Sequence, residues 1–191
     1  MNFTVNDGEL NSNTVARTVI FTAINDAPVI SGIEATPISY TENDSPVEIT
    51  DTLGIADLDD TLIESATLAI SANFAGPEDV LGFNNQSGIS GFYNVSTGVL
   101  TLTGPASLAD YEAAIQSVTY HNTSDDPSAL TRTISVSVSD GDVSSNLLSR
   151  KIELTAVNDA PALATIEGLP ASFTENGAPI NVTQNLSLIH I

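Results

Sequence analysis

The chain has 191 residues, 24 acidic against 4 basic, for a formal net charge of −20. That balance excludes nucleic-acid binding, which needs a basic face, and repels an anionic membrane surface. With no cysteine there are neither disulfide staples nor thiolate metal sites.

Residues 1–24 alternate through Phe3, Val5, Val15, Val19 and Phe21, the pattern of a closing β-hairpin that turns at Asn6-Asp7-Gly8. Asn25–Pro28 breaks the ladder, because a proline has no strand hydrogen bond to donate. Short strands are expected at Ile38–Thr41 and Val47–Thr50, then an acidic loop, Asp57-Leu58-Asp59-Asp60. Leu68, Ile70 and Ala72 alternate with Thr67, Ala69 and Ser71 as a half-buried strand. Further strands are read at Val80–Phe83, Gly91–Tyr93 and Val99–Leu102, with turns at Gly88 and Thr97-Gly98. One helix is expected from Ser107 to Ser117: Ser107 can cap it, and Leu108, Tyr111, Ala114 and Ile115 share a face. A strand resumes at Val118–Tyr120. Ile134, Val136 and Val138 then alternate out to Asp140-Gly141, and Ile152 and Leu154 return as a second hairpin. Many short strands with turn punctuation read as an all-β sandwich with Greek-key connections.

No stretch is long and apolar enough to cross a membrane, and residues 1–20 lack a basic-then-apolar export pattern. An export signal is therefore expected outside this segment.

Asn-Asp-Ala-Pro recurs at Asn158–Pro161, 158 − 25 = 133 residues after its first copy. The flanks match at the same offset: Ser12-Asn13 with Ser145-Asn146, Arg17 with Arg150, Thr41-Glu42-Asn43 with Thr174-Glu175-Asn176. A fixed period this long marks a whole domain. The chain reads as the end of one repeat plus linker (1–28), one complete repeat (29–161) and the start of the next (162–191). Residues 186–191 resemble the translation of a sequencing-library adapter and are set aside from the fold.

The position-matched acidic and amide residues share oxygen ligands and fall at turns and linkers: Asp7 and Asp140, Asn25-Asp26 and Asn158-Asp159, Glu42 and Glu175, with Asp57, Asp59 and Asp60 in one loop. In a sandwich such positions lie at the two ends. Calcium takes six to eight oxygens from carboxylates and carbonyls. The same residue types also cap turns.

With these residues in view, the chain resembles the cadherin-like tandem repeats of large bacterial surface and secreted proteins. Carrying the likeness are Asp79-Val80-Leu81, Thr97–Gly104, Asn122–Pro127 and Val157–Pro161. The resemblance implies an immunoglobulin- or cadherin-like sandwich with calcium between repeats. By position, the first junction would use Asn25, Asp26, Asp57, Asp59 and Asp140. The second would use Glu42, Asn158 and Asp159. Ala23 and Ala156 stand where the family has another aspartate, so weak sites of roughly 10⁻⁴–10⁻³ M are expected.

No Gly-x-Ser-x-Gly, His-Glu-x-x-His or phosphate loop occurs, and neither His121 nor His190 has a recognisable catalytic partner. Catalysis is not expected. The expected role is that of an extracellular spacer or adhesion module, stiffened by calcium, with neighbouring repeats as its partners. The alternative is a sandwich that recognises a cell-surface glycan or protein, with the loop at Asn84–Gly91 as the place to look.

Overall fold

Branched apolar residues alternating with Ser and Thr bury one side of a strand and wet the other, and the fold is built on that alternation. The structure, a computed structural model, describes residues 1–164, 168–183 and 187–189. In chain order the strands are β1 (Asn2–Phe3), β2 (Val15–Ala16), β3 (Val29–Ser31), β4 (Ile38–Thr41), β5 (Val47–Glu48), β6 (Gly54–Ala56), β7 (Leu62–Ala72), β8 (Asp79–Gly82), β9 (Ser90–Asn94) and β10 (Val99–Ser107). Helix α1 (Leu108–Gln116) follows, then β11 (Thr119–Asn122), β12 (Arg132–Ser139), β13 (Leu148–Thr155), β14 (Ala162–Ala164) and β15 (Ser187–Ile189).

A six-stranded sheet runs β4-β13-β12-β7-β10-β9, and a three-stranded sheet runs β5-β11-β8. The ribbon β3-β6 closes one end. Between the sheets lies an all-β sandwich core. Leu68, Leu100, Val136 and Ile152 from the large sheet meet Leu81 and Tyr120 from the small one, all within 2% of full burial. Pairing is antiparallel throughout the large sheet except between β4 and β13, which run parallel with Ile152 opposite Ile38 and Thr155 opposite Thr41.

Helix α1 starts where expected. The Ser107 hydroxyl accepts from Asp110 N at 3.1 Å, and Tyr111, Ala114 and Ile115 are buried. Two polar side chains of the helix grip the chain around β6: Glu112 Oε1 accepts from Ile55 N at 2.7 Å and Gln116 Nε2 donates to Leu53 O at 2.9 Å. That grip sets the position of the acidic loop just after β6.

Three features differ from the sequence expectation. Strand β7 begins at Leu62, several residues before the readable alternation, because its register against β10 shifts between Thr103 and Ala106. Burial changes phase from Ile63 to Ala66 across that shift, which hides the strand from a period-two reading. Gly104 sits at the irregularity with φ 124°, and a Cβ there would lie 2.4 Å from Gly88 O. Next, β3 and β6 form a ribbon of three residues each, too short to carry a pattern. Last, the hairpin of residues 1–24 pairs over short stretches, at β1 and β2 and at an Asn6–Asn11 bridge, leaving Phe3, Val15 and Phe21 exposed. Of their counterparts 133 positions on, Val136 and Leu154 are core residues and Leu148 is partly buried against the core. A two-stranded ribbon without a covering sheet is marginal.

One polar cluster lies inside the core. The Asp79 and Arg132 side chains are both fully buried, with Nε 3.0 Å from Oδ2. Asp79 Oδ1 accepts from Tyr120 OH at 2.6 Å and from Asn122 Nδ2 at 2.8 Å, and Oδ2 also accepts from Ala75 N at 2.8 Å. Arg132 Nη1 donates to the carbonyls of Ser128 (2.7 Å) and Leu130 (2.6 Å). Burial, reinforced by the hydrogen bond to Asp79 and by its charge, pushes the Tyr120 phenol well above its ordinary range.

Removing one member strands the others. Asp79→Ala is expected to cost about 3–5 kcal/mol in equilibrium denaturant unfolding. Tyr120→Phe is expected to cost about 1–3 kcal/mol. Exchanging Asp79 and Arg132 together for Leu and Met should cost less than Asp79→Ala alone, since no buried charge is then left unpaired.

Candidate functional site: the repeat junctions

The turn at Asp140-Gly141 has a local cause. Asp140 Oδ1 accepts from Asp142 N (2.8 Å) and Val143 N (2.7 Å), and Gly141 takes φ 104°. Asp7 does the same 133 residues earlier, to Glu9 N and Leu10 N at 2.9 Å each, with Gly8 at φ 105°. Those bonds hold both carboxyls below their ordinary range. In Asp140, the bond from Val143 contributes most and the Asn25 amide next.

The first linker lies against this turn. Asn25 Nδ2 donates to Asp140 Oδ2 at 2.9 Å and to Asp26 O at 3.0 Å. Asp26 N is shared between the two Asp59 oxygens at 3.2 and 3.3 Å. In the acidic loop, Asp57 Oδ1 accepts from Asp59 N (3.2 Å) and Asp60 N (3.1 Å), an Asx turn. Asp57 Oδ2 is buried without a hydrogen-bond partner. Pro28 is buried as the chain enters β3. All five residues expected at the first junction, Asn25, Asp26, Asp57, Asp59 and Asp140, are therefore linked here directly or through the acidic loop.

Among the described residues no Lys or Arg side chain forms a salt bridge with the carboxylates of this corner. Among the described residues the salt bridges join Arg132 to Asp79 and Arg150 to Glu34, both elsewhere. Partial desolvation and the charges of Asp59, Asp57, Asp140 and Asp142 raise the Asp60 carboxyl above its ordinary value. Ionised Asp60 thus works against the fold at neutral pH, and that penalty fades as pH falls through its raised pKa. Among the described residues no group of three or more His, Cys, Asp or Glu is arranged to hold a metal ion by itself.

At the opposite end, Glu42 is only 5% exposed. Its Oε2 accepts from Val157 N at 2.8 Å, beside Asn158, and Glu42 N donates to Thr155 O at 2.9 Å. Asn158 Nδ2 caps Asp159 O at 3.0 Å, as Asn25 caps Asp26. Glu42 thus meets the chain one residue before Asn158-Asp159, while Pro161 and Glu175 are exposed, unlike Pro28 and Glu42 at the matching positions. The counterpart of Asp57 would be His190, which lies outside the described residues.

Two residues that shape the first junction escaped the reading of the sequence. Asn146 imitates a strand: its Oδ1 accepts from Ile30 N and its Nδ2 donates to Ile30 O, both at 2.9 Å, fixing the chain just past the linker. Arg150 pins β13 through Thr36 O (3.2 Å), Ile49 O (2.9 Å) and Glu34 (3.0 Å). Both recur at the 133-residue offset, as Asn13 and Arg17, and that recurrence is the signal that marks them.

Among known proteins, the chain is similar to Halomucin of Haloquadratum walsbyi (strain DSM 16790 / HBSQ001), 39% identical over 107 residues. The match takes in 53% of this chain and 1% of Halomucin, so the chain spans a very small part of that relative. No family model matches the chain, and no solved structure matches it.

Asp60→Asn should raise the melting temperature in chelator by about 2 °C at low salt, with the gain shrinking in molar sodium chloride. Thermal melts of both proteins across a salt series check this.

Proposed function

We propose that the chain is a segment of a very long extracellular protein, a cadherin-like β-sandwich spacer whose junctions are stiffened by calcium. The observation that carries this reading is the first junction. There the linker residues Asn25 and Asp26 are bonded to Asp140 and Asp59 of the following domain, beside a buried, partnerless Asp57 oxygen. A buried carboxylate oxygen without a donor is costly unless something positive reaches it.

The donor chemistry fits calcium: hard carboxylate and amide oxygens, no nitrogen or sulfur ligand. Among the described residues no three carboxylates are arranged to form a site by themselves, so backbone carbonyls and water would complete the shell. Asp57, Asp59 and Asp140, with the Asn25 side-chain oxygen turned inward and Asp26, would hold the ion at the first junction. Glu42, Asn158 and Asp159 are the candidates at the second. A bound cation would neutralise the repulsion concentrated on Asp60 and tie linker to domain. The similarity to 1% of Halomucin supports a part in a much longer chain, and among the described residues no helix is long and apolar enough to cross a membrane.

A second reading has one observation in its favour. Phe92, on the edge strand β9, is 70% exposed, an aromatic surface beside the loop at Asn84–Gly91. An aromatic platform of this kind suits recognition of a glycan or protein partner. A glycan-array screen, with Phe92→Ala as control, separates the two.

For the calcium reading, 10 mM calcium against chelator should stabilise the chain by about 1.4–2.7 kcal/mol for sites of roughly 10⁻³–10⁻⁴ M. The double variant Asp57→Ala, Asp59→Ala should lose most of that gain. Equal melting temperatures with and without calcium would sink the calcium reading.

A further inference from the structure

We propose that Asn94 is a site of N-glycosylation, and that the first sugar of its glycan lies over the exposed ring of Phe92. Asn94-Val95-Ser96 has the acceptor pattern Asn-x-Ser/Thr. The pattern recurs elsewhere in a chain rich in Ser, Thr and Asn, so sequence alone does not single this copy out. The fold does.

Asn94 ends β9 and opens the turn into β10. Its Oδ1 accepts from Ser96 N at 3.0 Å, an Asx turn that brings the asparagine and serine of the pattern together. Its backbone carbonyl accepts from Thr97 N at 3.1 Å and Gly98 N at 2.9 Å, and Gly98 closes the turn at φ 69°. Nδ2, the atom a transferase modifies, makes no hydrogen bond among the described residues, and Asn94, Val95 and Ser96 are exposed. Other copies are placed differently. Asn122, in Asn122-Thr123-Ser124, is 3% exposed and its Nδ2 donates to Asp79 Oδ1 at 2.8 Å, so a sugar there is incompatible with the core. In Asn85-Gln86-Ser87, the Asn85 Oδ1 is taken by Gly91 N at 3.0 Å, and the ring two residues before it, Phe83, packs against the core.

A second observation comes from the strand. Side chains two apart share a face, about 7 Å from each other along the chain. Tyr93 points inward, packed against the core with its hydroxyl donating to Asp79 O at 2.6 Å. Phe92 and Asn94 therefore project outward together, and Phe92 is 70% exposed. A pyranose presents a face of C–H bonds, which the negative face of an aromatic ring attracts. One sugar on Asn94 Nδ2 spans the distance to that ring. Strand β9 is also an edge of the large sheet, paired with β10 alone, and a glycan there obstructs pairing with another chain.

The donor is a lipid-linked oligosaccharide, an activated sugar phosphate. Asn94 Nδ2 forms a bond to the anomeric carbon, and the bond from that carbon to the phosphate oxygen breaks. The lipid phosphate leaves with the electron pair, and the amide proton passes to a base of the transferase. Access to that donor requires the extracellular location proposed above; calcium plays no part. Phe92 is then the seat of the chain's own sugar rather than of a partner's.

The test uses the full chain secreted from a host cell whose secretory pathway carries an oligosaccharyl transferase. Peptide mass spectrometry is expected to find a glycan on Asn94 and none on Asn122. Asn94→Gln and Ser96→Ala should each remove it. If sugar on Asn122 holds the chain back, Ser124→Ala deletes that acceptor and keeps the bond from the residue 124 N–H to Asn122 Oδ1. Trimmed to its first sugar, the glycosylated chain should melt about 2–4 °C above Asn94→Gln in chelator. Phe92→Ser, modified to the same extent, should lose that gain. An unmodified Asn94 in the secreted chain, or a gain that survives Phe92→Ser, would overturn the proposal. An absent calcium response with Asn94 occupied would count against the calcium reading alone.

Discussion

The interior depends on one buried carboxylate. Asp79 collects the Tyr120 hydroxyl, the Asn122 amide, the Arg132 guanidinium and a backbone N–H, and its own carbonyl accepts from Tyr93 OH at 2.6 Å. These donors come from both sheets and from the segments entering β8 and β12. A buried ion pair is weak as a source of net stability. Its demand for partners, however, ties β8, β9, β11 and β12 into one arrangement, because any other would strand a charge in the core, although Arg132 Nη2 remains buried without a hydrogen-bond partner. Arg132 is one of only four basic residues in a chain with 24 acids, and it is spent on this interior contact.

Few basic residues are left for the surface, and among the described residues the first junction has no salt bridge. The carboxylates of Asp57, Asp59 and Asp140 accept hydrogen bonds from N–H groups and from one amide, and among the described residues neither they nor Asp60 and Asp142 form a salt bridge. The linker is held by these polar contacts and by Asn146, while the repulsion among the carboxylates works against it. Salt or a divalent ion changes that balance. At the other end the logic is reversed: Glu42 is buried, singly placed and engaged with the departing chain. The two ends of the domain thus divide the work. One presents a charged corner to what precedes it, and the other fastens its own first and last strands together.

Much of this was legible in the sequence. The period-two alternation of Ile134, Val136 and Val138, the Asp-Gly turns and the Ser107 cap are local, since each depends on a few neighbouring residues, and the sandwich class followed from them. The repeat offset singled out Asn25, Asp26, Glu42, Asp140, Asn158 and Asp159, and the chain folds them to the ends of the domain. Less legible was anything set by distant contact. The phase change in β7 needs the irregular pairing with β10, and the β3-β6 ribbon is too short to show a period. The grip of Asn146 on Ile30 spans 116 residues. Phe92 alternates like a core residue yet faces solvent, because its strand is the sheet's edge.

By itself, then, the sequence determined the β character of the chain and displayed a 133-residue period with oxygen-bearing side chains at its turns, because periodicity and turn residues are written in adjacent positions. Tertiary structure alone decided that β4 would lie parallel to β13, that Glu42 would fasten to Val157, and that Asp79 and Arg132 would meet inside. Those outcomes depend on which surfaces can be buried together, and pairings more than 50 residues apart in sequence leave no local trace.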